Sequence, residues 1–269
     1  MTELLDRVAA AVEGWRSNLG KPLVVGLCGA QGSGKTTLAE NLKRRLEGEG
    51  AKAAILSLDD LYLSRDARRA LAEKVHPLLA TRGVPGTHDV DLGINVLDAL
   101  RAGRDTILPR FNKAADDVFP PHQWFAVTGA VDVVLFEGWC IGAIAQPVAE
   151  LVEPVNSLER DGDADGVWRA YVNQQLAGPY AQLFTRMDRL IFLAAPNFTI
   201  VYTWRLQQEH ELRRRSDVDA SVKTCVMTDA QVSDFIQYYQ RLTEYILREM
   251  PLRADITLRL DATRHVIEA

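Results

Sequence analysis

The sequence predicts an α/β fold of the doubly wound type: a mostly parallel sheet with helices on both faces. Three observations predict it. Short apolar runs recur along the chain at Leu23 to Cys28, Ala51 to Leu58, Val131 to Phe136 and Asp188 to Ala194. They have strand length and near-continuous apolarity, as strands covered on both faces do. Segments with apolar residues at helical spacing alternate with them, the pattern of βαβ units. The first run also leads into Gly29-Ala30-Gln31-Gly32-Ser33-Gly34-Lys35-Thr36-Thr37, a glycine-rich turn that opens a helix.

That turn reads G-x-x-x-x-G-K-[ST], the phosphate-binding loop of a P-loop NTPase-type fold, between the strand and helix such a loop requires. Glycines let the backbone curl so that successive N–H groups converge on an anion, and the helix adds its positive N-terminal end. Lys35 is expected to reach the β- and γ-phosphates, and the Thr36 hydroxyl to sit on Mg²⁺.

The 269 residues are 47% hydrophobic and 25% charged, enough for a sizeable core, and one domain over 1–269 is expected. A net charge of −5 argues against a general nucleic-acid binder. Cys28, Cys140 and Cys225 form no C-x-x-C pair, so neither a zinc site nor a disulfide framework is expected. No apolar run reaches membrane-spanning length and no signal pattern opens the chain, which leads to the expectation of a cytoplasmic protein with no membrane partner. Nothing in the pattern speaks to oligomeric state.

The elements follow in order. Leu4, Val8, Val12, Trp15 and Leu19 share one stripe, predicting a packing helix within residues 1–20 that Gly20 ends. Leu38, Leu42 and Leu46 predict a helix over Thr37 to Glu49. The strand Ala51 to Leu58 runs into Asp59-Asp60-Leu61-Tyr62. Ligands of open parallel sheets bind at the carboxyl ends of strands, so these acids are candidates for a magnesium ligand or a proton acceptor; helix capping is the other job such a residue does. A short charged helix is expected over Ser64 to Lys74. His76 to Asp91 is too rich in Gly and Pro for a regular element, yet it carries His88 and Asp89. Leu92, Val96, Leu97 and Leu100 predict a helix over Asp91 to Ala102, followed by an extended piece containing Arg110 and Lys113, two cations suited to an anionic substrate. Val131 to Phe136 ends in Glu137, an acid closing an apolar strand at the position that faces Mg²⁺ across a phosphate loop.

Asn156 to Gly166 reads as a polar loop. Val167 to Phe184 reads as helix with a potential break at Gly178-Pro179. A helix is expected over Asn197 to Arg215, ending in Arg213-Arg214-Arg215, with residues 197–227 a candidate lid in which Arg205 or Arg213 closes over the phosphates. Ser216 to Thr224 reads as a polar connection. Thr228-Asp229-Ala230-Gln231 is a capping box opening a core helix, and Ala254 to Leu260 is the last expected strand.

The order phosphate loop, strand-Asp-Asp-x-Tyr, strand-Glu-Gly resembles the uridine kinase, phosphoribulokinase and pantothenate kinase group. Closer still, Ser57-Leu58-Asp59-Asp60-Leu61-Tyr62, Arg82-Gly83-Val84-Pro85-Gly86-Thr87-His88-Asp89, Leu108-Pro109-Arg110-Phe111-Asn112-Lys113, Phe136-Glu137-Gly138-Trp139 and Trp204-Arg205-Leu206-Gln207 resemble the D-glycerate 3-kinase family from about Pro22 onward. The resemblance implies an ATP- and Mg²⁺-dependent kinase acting on a small molecule, D-glycerate or a similar compound. It implies Asp59 as catalytic base, Lys35 and Glu137 beside it in catalysis, Thr36, Asp59 and Glu137 around the metal, and residues 29 to 37 around the phosphates. Asp60, Tyr62, His88, Asp89, Arg110 and Lys113 are then the expected acceptor site. A related kinase acting on a nucleoside, pantothenate or a sugar phosphate stays open, as does a non-catalytic ATP-binding protein. No N-K-x-D-type guanine-reading segment is present.

Overall fold

Seven consecutive buried residues, Leu23–Gly29, form the central strand β1. The structure, a computed structural model, describes residues 2–216 and 226–268. Cys225 and residues 217–224 of the expected polar connection lie outside the described residues.

The strands continue as β2 (Ala53–Ser57), the short β3 (Thr106–Leu108), β4 (Phe111–Asn112), β5 (Asp117–Val118) and β6 (Phe125–Val127), then β7 (Val133–Gly138), β8 (Arg189–Ala194), β9 (Ile256–Leu260) and β10 (Val266–Glu268). The helices are α1 (Thr2–Ser17), α2 (Lys35–Gly48), α3 (Arg65–Lys74), α4 (Val90–Arg101), α5 (Ser157–Gly162), α6 (Val167–Gln175), α7 (Ala181–Phe184), α8 (Phe198–Ser216) and α9 (Asp229–Glu249).

Six strands make the main sheet in the order β10-β9-β8-β1-β7-β2, all neighbours parallel except the β10 edge. From β1 the chain moves outward to β2 on one side and later to β8 and β9 on the other. Right-handed crossovers in opposite directions put helices on opposite faces, and open a crevice at the carboxyl ends where the direction reverses. The phosphate loop leaves β1 at that point. One core holds the sheet and its flanking helices, and a smaller cluster gathers Leu79, Val84, Trp168 and Val172.

Local sequence explains most boundaries. Val8 and Val12 of α1 are buried, and Leu42 and Leu46 of α2 likewise. The Thr228 box forms in full: its hydroxyl accepts from the Gln231 N–H and the Gln231 side chain accepts from the Thr228 N–H. Three expectations differ. The loop expected over Asn156 to Gly166 contains α5, which Asn156 caps and Glu159 anchors through hydrogen bonds of 2.8 and 2.6 Å from Arg241. Six residues are too few for periodicity to reveal. The chain does not break at Gly178-Pro179; α6 widens into a π-helical turn, Leu176–Tyr180, that carries Pro179 and continues into α7. Two small antiparallel pairs, β3 with β6 and β4 with β5, organise the segment beside the sheet edge where one extended piece was expected.

Candidate active site

Between β1 and α2 the backbone curls through left-handed conformations at Gly32 (φ 74°) and Gly34 (φ 89°). A Cβ at Gly32 would lie 2.7 Å from Trp204 Cβ, so this loop is packed against α8 as tightly as glycine permits. No side chain caps α2, which leaves its N-terminal end available to an anion. The Ser33 hydroxyl and the Gln31 side-chain oxygen Oε1 are buried without a hydrogen-bond partner, polar atoms already desolvated around the same cradle.

Glu137 is buried near the end of β7, in register with Leu27 of β1 and Ser57 of β2. Its Oε1 accepts from Ser57 Oγ at 2.9 Å and Thr36 Oγ1 at 3.3 Å, while Oε2 is buried and unpartnered. An orphan carboxylate oxygen beside a threonine hydroxyl fits a hard divalent cation. Among the described residues no group of three or more His, Cys, Asp or Glu could hold a metal. Magnesium keeps waters and takes substrate phosphate oxygens alongside one or two protein groups.

Asp59 and Asp60 sit on a 3₁₀ turn, Leu58–Leu61, directly after β2. Asp59 Oδ2 accepts from Lys113 Nζ at 2.5 Å and Oδ1 from the Tyr62 hydroxyl at 3.1 Å. Burial alone would raise the Asp59 pKa, but the Lys113 and Lys35 cations outweigh it and hold the carboxyl well below its usual range. The Asp59 charge in turn raises the Lys113 pKa. Asp60 accepts the Phe111 N–H at 2.9 Å, and burial pushes its carboxyl upward. Two adjacent acids therefore have different jobs: Asp60 ties β4 to the turn, while Asp59 stays anionic.

These groups line one cleft of about 1120 Å³, with Gln31, Gly32, Lys35, Thr36, Asp59, Asp60, Tyr62, Lys113, Glu137 and Arg205 on its wall. Other expected residues lie behind or beside it. His88 is buried, stacks on Tyr62 at 4.4 Å between ring centroids and meets the Tyr180 hydroxyl through Nδ1 at 2.5 Å. Burial pushes its pKa down to about 3, so it packs as a neutral ring. Asp89 caps α4, accepting the Leu92 N–H at 2.9 Å. Arg110 stacks on Phe119 and Phe125 at 4.8 and 4.3 Å. Arg213 bonds the Met227 carbonyl and Asp229 rather than reaching the cleft. Arg205 does line the cleft, but its guanidinium is 2.6 Å from Glu209 of the same helix. The expectation that His88, Asp89 and Arg110 line the acceptor pocket and that Arg213 closes it thus differs from where they sit. Each is engaged in packing, capping or pairing.

Among the wall residues outside the expected site are Ser57, Arg82, Trp139 and Tyr239. Ser57, Arg82 and Trp139 belong to the segments that carry the family resemblance, a signal that could have found them. Tyr239 sits on a helix whose spacing reads only as core.

Comparison with known proteins agrees with this geometry. Residues 24–171 match the Phosphoribulokinase / Uridine kinase family. The chain is 32% identical over 252 residues to the kinase mug58 of Schizosaccharomyces pombe, covering 88% of this chain and 85% of that protein. It is 33% identical over 229 residues to the chloroplastic D-glycerate 3-kinase of Arabidopsis thaliana, covering 81% of this chain but 46% of the plant protein. The solved D-glycerate 3-kinase of Cryptococcus neoformans superposes with a TM-score of 0.80 at 27% identity, over 98% of both chains. By family match, by identity over most of its length and by fold, the chain belongs to the phosphoribulokinase and uridine kinase family.

Proposed function

We propose that this protein is an ATP- and magnesium-dependent kinase that transfers the γ-phosphate to the 3-hydroxyl of D-glycerate. The observation that carries the reading is the position of Asp59: an anionic carboxylate, flanked by Lys113 and Tyr62, in the same cleft as the phosphate loop. The likeness to two D-glycerate 3-kinases supports the choice of acceptor.

Phosphoryl transfer asks chiefly for positioning and charge stabilisation. The amides of residues 29 to 36 and the Lys35 ammonium hold the triphosphate. Thr36 and Glu137 would hold Mg²⁺, which neutralises charge developing on the transferred group when bound. Asp59 accepts the proton of the attacking hydroxyl, and Lys113 keeps it deprotonated until then. Tyr62 fixes the orientation of the carboxylate.

The test is ADP release from ATP and Mg²⁺, with D-glycerate, L-glycerate, uridine, pantothenate and ribulose 5-phosphate offered separately. Stimulation by D-glycerate, with a phosphorylated product, is the expected result. Stimulation by another compound alone would keep the kinase and replace the acceptor. Asp59→Asn is expected to lower turnover by about two orders of magnitude or more with ATP affinity retained. Unchanged turnover would remove the base assignment, and no turnover with any acceptor by an ATP-binding wild type would favour a non-catalytic protein.

A further inference from the structure

The cation expected to meet an acceptor carboxylate is displaced or engaged: Arg110 stacks beside the cleft, and Lys113 is bound to Asp59. A different cation occupies the wall. Arg82 lines the cleft together with Tyr62 and Tyr239. Its guanidinium lies over the Phe111 ring at 5.5 Å, and one of its nitrogens donates to Asp116 Oδ1.

Asp116 is shared. Its other oxygen accepts from Arg68 at 2.6 Å, and Arg68 is fully buried, with the carbonyls of Leu63, Ala80 and Asp116 taking three of its other four N–H donors. Arg68 lies over Phe111 as well, at 5.6 Å. One carboxylate thus serves two guanidiniums. The neighbouring Asp117 carboxylate accepts the backbone N–H groups of Arg65 and Val118. Among the described residues Asp116 is the acceptor that Arg82 has, so the rest of its planar fork is open to a second anion.

The backbone behind Arg82 is fixed. Trp139 Nε1 donates to the Gly83 carbonyl at 2.9 Å, and a Cβ on Gly83 (φ 145°) would fall 2.2 Å from the Tyr239 hydroxyl. Trp139 and Tyr239 both belong to the cleft wall. A fork on a rigid backbone, partly paired and stacked on an aromatic ring, is preorganised for bidentate recognition of a carboxylate. Tyr62 connects this corner to the base, touching Phe111 edge-on at 5.2 Å and bonding Asp59.

We propose that Arg82 is the specificity-determining residue of the acceptor site, clamping the carboxylate of a small hydroxy acid while its hydroxyl faces Asp59. This rests on the kinase reading above and deepens it by assigning the acid group its partner. Neutral polyols and nucleosides leave the Arg82 fork unpaired and are selected against.

The test is binding, measured by calorimetry on full-length protein holding a non-hydrolysable ATP analogue and Mg²⁺. Glycolate, D-glycerate, L-glycerate and erythronate are titrated, each beside its uncharged amide, into wild type, Arg82→Gln and Arg82→Lys. At least one acid is expected to outbind its amide in wild type. Arg82→Gln is expected to weaken that acid about 10- to 100-fold and erase the preference, with the amide and the ATP analogue nearly unaffected. Arg82→Lys keeps the charge but not the fork, and recovers part of the preference. Acid preference retained in Arg82→Gln, or a panel in which no acid outbinds its amide, overturns the assignment. If Arg82→Gln fails to fold, full wild-type preference in Arg82→Lys overturns bidentate clamping. An Arg82-dependent preference for another acid with none for D-glycerate overturns the glycerate reading alone.

Discussion

Lys113 sets the charge state of the group expected to do the chemistry. Asp59 sits where burial favours the neutral acid, and the Lys113 and Lys35 cations reverse that preference. A folded-state pKa below the usual carboxylate value keeps Asp59 anionic through the neutral and mildly acidic range. The acid limb of kcat/KM in wild type is therefore not expected to come from Asp59 near neutrality. Removing the cation in Lys113→Met leaves burial less opposed, so the Asp59 pKa rises and the base is lost to protonation at higher pH. The expected result is an Asp59 carboxyl that titrates about one pH unit or more higher in Lys113→Met than in wild type, read from NMR titration of the side-chain carboxyl in both proteins. An unmoved Asp59 titration would mean that Lys113 does not act on the base. Asp60 shows how neighbours of one type separate: burial raises its pKa, and the Phe111 N–H and the Lys113 cation offset that only in part.

At the scale of elements, the phosphate loop depends on the helix packed behind it as much as on its own glycines. Gly34 and Gly32 both have positive φ, but open space surrounds a Cβ at Gly34, while at Gly32 it meets Trp204. Trp204 is fully buried and held by a 2.7 Å hydrogen bond from Nε1 to the Ala262 carbonyl. Gly34→Ala therefore incurs backbone strain of about 1–2 kcal/mol. Gly32→Ala adds a steric clash with a side chain that cannot withdraw. Both are expected to lower ATP affinity, Gly32→Ala by the larger factor and with the larger drop in Tm. Equal effects on affinity and Tm would show that α8 does not constrain the loop. The α6–α7 segment makes a related point. Its π-helical turn brings the Tyr180 hydroxyl to the Gly86 N–H at 2.9 Å and to His88, securing the loop that carries Arg82.

Across the whole molecule, the two ends of the fold meet at the phosphate site. Arg264, in the turn between β9 and β10 with φ 68°, donates through Nε to the Gly32 carbonyl at 2.6 Å. It also bonds Gln207 Oε1 at 2.9 Å and lies over Trp204 at 5.1 Å. A residue 232 positions downstream thus braces the loop. Arg264→Ala is expected to weaken ATP binding about 3- to 10-fold with a cooperative melt retained, since one charge-assisted hydrogen bond is lost. Calorimetric ATP affinity unchanged in this variant would assign Arg264 to folding of the hairpin only.

The sequence by itself determined the sheet, the phosphate loop and the acids that follow β2 and close β7, because these signals are local. Apolar runs, glycine spacing and capping residues act within a few positions of where they stand. It did not determine which cations face the cleft. Arg82, Arg110 and Lys113 are alike as isolated residues, and their fates were decided by Asp116, by Phe119 and Phe125, and by Asp59. Asp89 took the capping role that an acid before a helix always offers, and His88 was drawn into an aromatic stack. Long side chains pair with whatever the packing brings near, and desolvation fixes those pairings only once the chain has closed on itself. Tyr239 and Arg264 reach the site from distant segments for the same reason: their contacts exist only in the assembled fold.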